Sequence, residues 1–199
     1  MIDRELEPIK GNIYKKLFFI KCSLYDNVAK IRDIAQAIAY ALMNGGKVIL
    51  FGNGGSASDA EHIATEFISK LSSDRIPLPA MSLTANTSTL TALGNDYGFE
   101  KIFSRQLEAL GNHCLDIIIG ISTSGESENV IECIQKAKDK NLYTIGFSGA
   151  EGRLKEIVDI ALNLNIPDTP TIQEAHIMAG HIICELVEEM LYEKGYLSR

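Results

Sequence analysis

"KVILFGNGGSASDAEHIATEF", residues 47–67, reads as three pieces in a row. An unbroken apolar run (47–51) is followed by a loop of small and polar residues (52–58), and a helical pattern comes next. A short apolar run without alternation, bounded by glycines, fits a strand buried on both faces. Similar runs recur at "PAMSL" (79–83), "LDIIIGIS" (115–122), "LYTIGF" (142–147) and "VDIALNL" (158–164). Helical patterns lie between them, around 57–71, 99–110 and 127–140. Strands alternating with helices predict an α/β fold, a doubly wound five-stranded parallel sheet with helices on both faces.

Outward from that core, apolar residues recur at helical spacing from Asp3 to about Met43. Ile9, Ile13, Leu17, Ile20 and Leu24 form one stripe, and Val28, Ile31, Ile34, Ile38 and Leu42 form another. Gly45 and Gly46 stop the second helix. The expectation is a single domain over 1–199, with an N-terminal helical extension (1–44) and an α/β core (45–199) closed by a helix from Ile172 to Glu193. With 46% apolar and 23% charged residues, the chain has the balance of a globular protein. No run approaches the roughly 20 apolar residues of a membrane span. The N-terminal residues carry charges on both sides of their few apolar positions, unlike a signal peptide. Cys22, Cys114, Cys133 and Cys184 lie far apart, which suggests neither a disulfide framework nor a cysteine metal site, and a cytoplasmic location is expected. A net charge of −7 with no basic run argues against nucleic-acid binding.

Ligands of such sheets sit beyond the carboxyl ends of the strands. Two loops at that edge are rich in small and hydroxyl residues: "GNGGSAS" (52–58) and "STSGES" (122–127). Glycine lets backbone approach a ligand, and free N–H groups at a helix start favour an anion. Ser122, Thr123, Ser124 and Ser127 add hydroxyl donors without charge. The plain alternative is that small residues make tight turns and caps. A dinucleotide site is a further competitor. Gly52 and Gly54 begin its fingerprint and Ala57 stands at the third glycine position, but the loop "SSDRIP" (72–77) serves poorly as source of the required acidic residue.

His62 and Glu66 stand at i and i+4, on one face of the helix after the first loop. Such a pair can hold a metal or form an acid–base couple; on its own it is more often a surface pair. In "TIQEAHIMAGH" (171–181), Thr171 with Glu174 reads as a capping box, placing Gln173 in the first turn. His176 reads as a core residue. His181 shares a face loosely with Gln173, Ile177 and Cys184, and the small residues before it allow close packing.

The stretches "FGNGGSASDAEHIATEF" (51–67), "LTALGNDYGFEKIFSRQ" (90–106), "GISTSGESENV" (120–130) and "TIQEAHIMAGH" carry a resemblance over nearly the whole chain. The sequence resembles the phosphoheptose isomerases of the sugar isomerase (SIS) fold. That resemblance implies conversion of sedoheptulose 7-phosphate into D-glycero-D-manno-heptose 7-phosphate, toward nucleotide-activated heptose for bacterial surface polysaccharide. It implies Zn2+ held by His62, Glu66, Gln173 and His181. It also implies substrate contacts from Asn53, Gly54, Gly55, Asn95, Asp96, Ser122, Thr123, Ser124 and Ser127; the loop residue Ser56, with Glu66 and Gln173 themselves, joins that expected set. Two positions depart from the family pattern: Thr171 stands where many relatives have a basic residue, and Glu126 puts a carboxylate in the second loop.

Gln173 and His181 are eight residues apart, about 12 Å along one helix. Two ligands of one zinc ion lie within about 4 Å of each other. If both serve one ion, they come from different subunits, so active sites at subunit interfaces are expected; the resemblance implies a homotetramer. Moving a carbonyl between C1 and C2 requires a base, expected to be Glu66, and an acid, expected to be His181, through an enediol. Asp96 is a candidate helper or a turn former. The competing function is a non-catalytic scaffold of the same fold that binds a replication initiator; His62, Glu66 and His181 speak against it. A sugar-phosphate-sensing domain would bring a DNA-binding segment, and a glucosamine-synthase-type enzyme an amide-hydrolysing domain.

Overall fold

The computed structural model describes residues 2–71, 74–111 and 113–198, so Ser72 and Ser73 of the 72–77 loop lie outside the described residues. In chain order the elements are α1 (Ile2–Asp26), α2 (Val28–Met43), β1 (Val48–Gly52), α3 (Gly55–Ile68), β2 (Ala80–Ser82), α4 (Thr87–Tyr97), a 3₁₀ turn (Phe99–Lys101) and α5 (Ser104–Leu110). Then come β3 (Ile117–Ser122), α6 (Glu128–Asp139), β4 (Tyr143–Gly149), α7 (Leu154–Ile157), β5 (Ile160–Leu164) and α8 (Thr169–Glu193). The strands form one sheet in the order β2-β1-β3-β4-β5, every pair parallel. Its order reverses between β1 and β3, and at such a switch point the outgoing chains diverge to leave a crevice. Both small-residue loops leave the sheet there, side by side.

Every residue of β1 and of β3 is buried, as the unbroken apolar runs required. Val48, Leu50, Ile119 and Ile121 face the layer of α1, α2, α3 and α8. Ile49, Phe51 and Ile118 face the layer of α4 to α7. The N-terminal extension behaves differently along its length. Ile20 and Leu24 are buried against the core, whereas Ile9, Ile13 and Leu17 of the same stripe are more than half exposed.

Three features of the sequence reading are corrected. First, α4 occupies a stretch not expected to be helical. Its threonines are poor helix formers and none of its residues is buried, so no periodic apolar face announces it. The Asn86 side chain starts it by accepting from the Thr89 N–H at 3.0 Å. Second, the expected 99–110 helix is split into the 3₁₀ turn and α5. Third, α8 begins at Thr169 and its cap is Asp168, not Thr171. Asp168 Oδ1 accepts from the Thr171 amide (3.1 Å) and hydroxyl (2.8 Å). These bonds hold the Asp168 carboxyl below the usual carboxylate range. Pro170 in the first turn has no N–H to leave unpaired. The Thr-x-x-Glu pattern is real, but an aspartate three residues upstream wins the cap, and Gln173 falls in the second turn.

Candidate active site

Helices α3 and α8 lie side by side and run in the same direction. Near the start of the contact, a Cβ on Gly55 would sit 2.4 Å from Gln173 Nε2, and two turns later a Cβ on Gly180 would sit 2.6 Å from Ile63 Cδ1. At Gly180 a methyl would press on the buried Ile63 side chain, whereas at Gly55 it would displace the flexible Gln173 carboxamide. His62 follows Gly55 by two turns and His181 follows Gly180 at once, so the same packing brings the two imidazoles together. Their Nε2 atoms are 3.1 Å apart, and His62 Nε2 is 3.2 Å from Glu66 Oε1. The three ligand-type atoms of His62, Glu66 and His181 all lie within 4.8 Å of one another.

Two imidazole nitrogens facing each other at hydrogen-bond distance need either a proton or a cation between them. A tetrahedral ion with bonds of about 2.0–2.1 Å has edges of about 3.3 Å, close to these two separations, and neutral imidazole and carboxylate are zinc ligands. The donor set therefore fits a small divalent cation. Gln173 is not in this cluster: held against Gly55, it lies about 10 Å from His62 along the helix axis. Asp59, one turn before His62, has Oδ2 buried with no hydrogen-bond partner among the described residues. Burial raises its carboxyl to about 6, partly offset by His62.

The first loop turns at Gly54, whose φ of +56° suits glycine, and Gly54 is also the N-cap of α3. Ser56, at the start of α3, is buried. In the second loop, Ser122 Oγ lies 3.0 Å from Ser127 Oγ and 3.4 Å from Ser124 Oγ. Thr123 is half-buried between them. Ser124 Oγ also accepts from the Glu126 amide, and Ser127 holds the N-cap position of α6 with its hydroxyl turned to Ser122 instead of the helix. The Glu126 carboxylate turns away to Arg153, taking its Nε at 2.6 Å and its backbone N–H at 2.9 Å. Those bonds keep the Glu126 carboxyl below the ordinary range. Asn53 and Asn129 join the two loops through a reciprocal amide pair. Asn95 and Asp96 stand exposed in the last turn of α4, hydrogen-bonded to each other at 2.7 Å. The 3₁₀ turn that follows brings Phe99 and Glu100 into a cavity of about 570 Å3 with Asn53, Ser127 and Asn129.

His176 is fully buried, its Nε2 3.4 Å from the Ser148 carbonyl and its ring against Phe147. Burial lowers its pKa to about 4, against a small opposing effect of that hydrogen bond. The sequence reading missed Asp59, Asn129, Arg75 and Arg153. Arg75, with its side chain 1% exposed, pairs with Glu188 at 2.6 Å. It also donates to the Glu66 and Phe67 carbonyls at the end of α3. Asn129, Arg75 and Arg153 find their partners across the fold, where no local pattern reveals them, and Asp59 is marked by its burial.

The model of the SIS domain family matches residues 22–149. The chain is 47% identical over 197 residues to the phosphoheptose isomerase of Burkholderia pseudomallei strain K96243, covering 98% of this chain and 100% of that protein. It is 49% identical to the phosphoheptose isomerase of Aquifex aeolicus, covering 96% and 100%. Among solved structures, a phosphoheptose isomerase from Neisseria gonorrhoeae superposes with a TM-score of 0.86 at 36% identity, over 92% of this chain and 98% of that one.

Proposed function

This chain belongs to the phosphoheptose isomerase family of SIS-domain proteins, and on that premise we propose that it interconverts sedoheptulose 7-phosphate and D-glycero-D-manno-heptose 7-phosphate. One observation supports this most directly: His62, Glu66 and His181 converge on one point, and the helix that carries two of them starts from the first of two anion loops at the sheet's switch point. A phosphate dianion suits those loops, which offer amides and hydroxyls and keep their carboxylate, Glu126, occupied with Arg153.

The reaction moves one proton between carbons and one between oxygens. Glu66 takes the proton from C1 of the ketose, leaving an enediol, and returns it to C2 to give the aldose. His181 gives a proton to O2 and recovers one from O1. His62, Glu66, His181 and Gln173 would hold Zn2+, which supplies polarisation of the substrate oxygens. Asn53, Gly54, Gly55, Ser56, Ser122, Thr123, Ser124 and Ser127 hold the sugar phosphate, with Asn95 and Asp96 at its far end.

Gln173 reaches the centre from a second copy, since within one chain it lies about two helical turns away. The same reading makes the protein a homo-oligomer with shared sites, and the family likeness makes that oligomer a homotetramer. Its support is the exposed apolar stripe of Ile9, Ile13 and Leu17. Beside it, an apolar groove of about 600 Å3 runs between α1 and α8, lined by Leu17, Leu24, Ile182 and Leu186. Apolar surface of this kind marks an interface. Among the described residues no helix is long and apolar enough to cross a membrane.

The test is to incubate the purified protein with sedoheptulose 7-phosphate and follow the aldose by NMR, with and without a chelator. Aldose formation that the chelator abolishes and Zn2+ restores is the expected result. An inert protein in the presence of Zn2+ would refute the activity, and full turnover in chelator would refute the metal.

A further inference from the structure

Asn129 belongs to neither small-residue loop motif, yet it is the residue through which the two loops touch. It stands in the first turn of α6, 3% exposed. Its Nδ2 donates to Asn53 Oδ1 at 2.9 Å, and Asn53 Nδ2 donates to Asn129 Oδ1 at 2.8 Å. Asn53 follows β1 and Asn129 follows β3, neighbouring strands whose ends open the crevice. A carboxamide offers two N–H donors and two acceptor lone pairs. The reciprocal pair takes one donor and one acceptor from each partner, which fixes both amide planes and leaves Asn53 one N–H and one lone pair for a ligand. Both side chains line the cavity that also holds Ser127 and Glu100.

We propose that Asn129 is a positioning residue for the substrate site. It fixes the rotamer of Asn53 and sets the spacing between the Gly54 turn and the serine loop, so that both engage one sugar phosphate together. The inference rests on the proposed isomerase activity and adds a residue to it. Alanine at 129 removes both bonds at once and frees Asn53 to rotate. Because Asn129 lies in the loop frame and not at the proton-transfer cluster, the loss falls on KM. A mainly structural residue would instead reduce the folded fraction and lower kcat at unchanged KM.

The experiment compares wild type, Asn53→Ala, Asn129→Ala and the double variant, with kcat, KM for sedoheptulose 7-phosphate and melting temperature for each. The expected result is a KM raised about tenfold or more in Asn129→Ala, the scale of one to two lost hydrogen bonds. The double variant is expected to match Asn53→Ala, because Asn129 acts through Asn53. An Asn129→Ala enzyme with KM within about twofold of wild type, fully additive effects, or a variant that fails to fold overturns the assignment. Wild type without turnover would instead sink the activity itself, a result distinguishable from any of these.

Discussion

Glu66 has two tasks in this account, and its surroundings bear on both. One oxygen faces His62 at 3.2 Å, its side chain is only 18% exposed, and Arg75 anchors its backbone carbonyl. A carboxylate that keeps one oxygen on a cation still has another for a proton. Glutamine at this position preserves shape and a ligand oxygen but cannot accept the proton. Glu66→Gln is therefore expected to lower kcat by about 10³-fold, within the range for a lost general base, while the ketose still binds by calorimetry. Near-normal turnover would refute the base assignment. At this scale the candidate site was legible wherever residues share a helix or loop, as His62 and Glu66 do. Asn129 and Arg153 were not, because each acts through a partner far away in sequence, and Asp59 was not, because its burial is set by the tertiary packing.

The pairing of α3 with α8 decides whether two histidines 119 residues apart can meet. Gly180 sets the distance, its missing side chain filled by Ile63. Alanine there gains about 1 kcal/mol of helix propensity. Against this, forcing a methyl into a site 2.6 Å from Ile63 Cδ1 costs about 1–3 kcal/mol. Overpacking wins, so Gly180→Ala should lower stability by up to about 2 kcal/mol. It should also weaken Zn2+ binding by spreading His62 from His181, with both effects eased by adding Ile63→Val. A more stable Gly180→Ala with undiminished metal affinity would contradict the packing account. The close approach was visible in "MAGH", but the start of α8 was misplaced because its aspartate cap lies outside the motif. Helix α4 went unread because a helix with no buried face leaves no periodic signal. The strands were read to within two residues, since the central β1 and β3, buried throughout, carry nearly unbroken apolar runs.

On the scale of the whole molecule, pH connects a core residue to folding stability. His176 titrates near 4 in the fold, well below the 6.5 of an exposed histidine. The unfolded chain thus binds a proton that the folded one refuses, and stability is full above pH 6.5 and falls as pH drops toward 4. The loss across that window is roughly 3 kcal/mol from this residue. Asp59, raised from 3.8 to about 6, acts in the opposite sense, because there the folded chain holds the proton. The net slope is therefore shallower than His176 alone would give. Chemical denaturation of wild type and His176→Leu between pH 7 and 4.5 isolates the histidine: the variant should lose less stability on acidification. Equal slopes would show that His176 does not titrate in this window.

Assembly is the other property of the whole molecule, and the proposed reaction depends on it: a centre built from His62, Glu66 and His181 of one chain and completed by Gln173 of another. The direct measurement is to co-express Gln173→Ala and His181→Ala chains, each inactive alone, and to assay the purified mixed oligomer with sedoheptulose 7-phosphate. Random pairing joins an intact cluster to an intact glutamine in about a quarter of the sites, so activity near a quarter of wild type is predicted. A mixed oligomer as inactive as its parents would contradict the shared site.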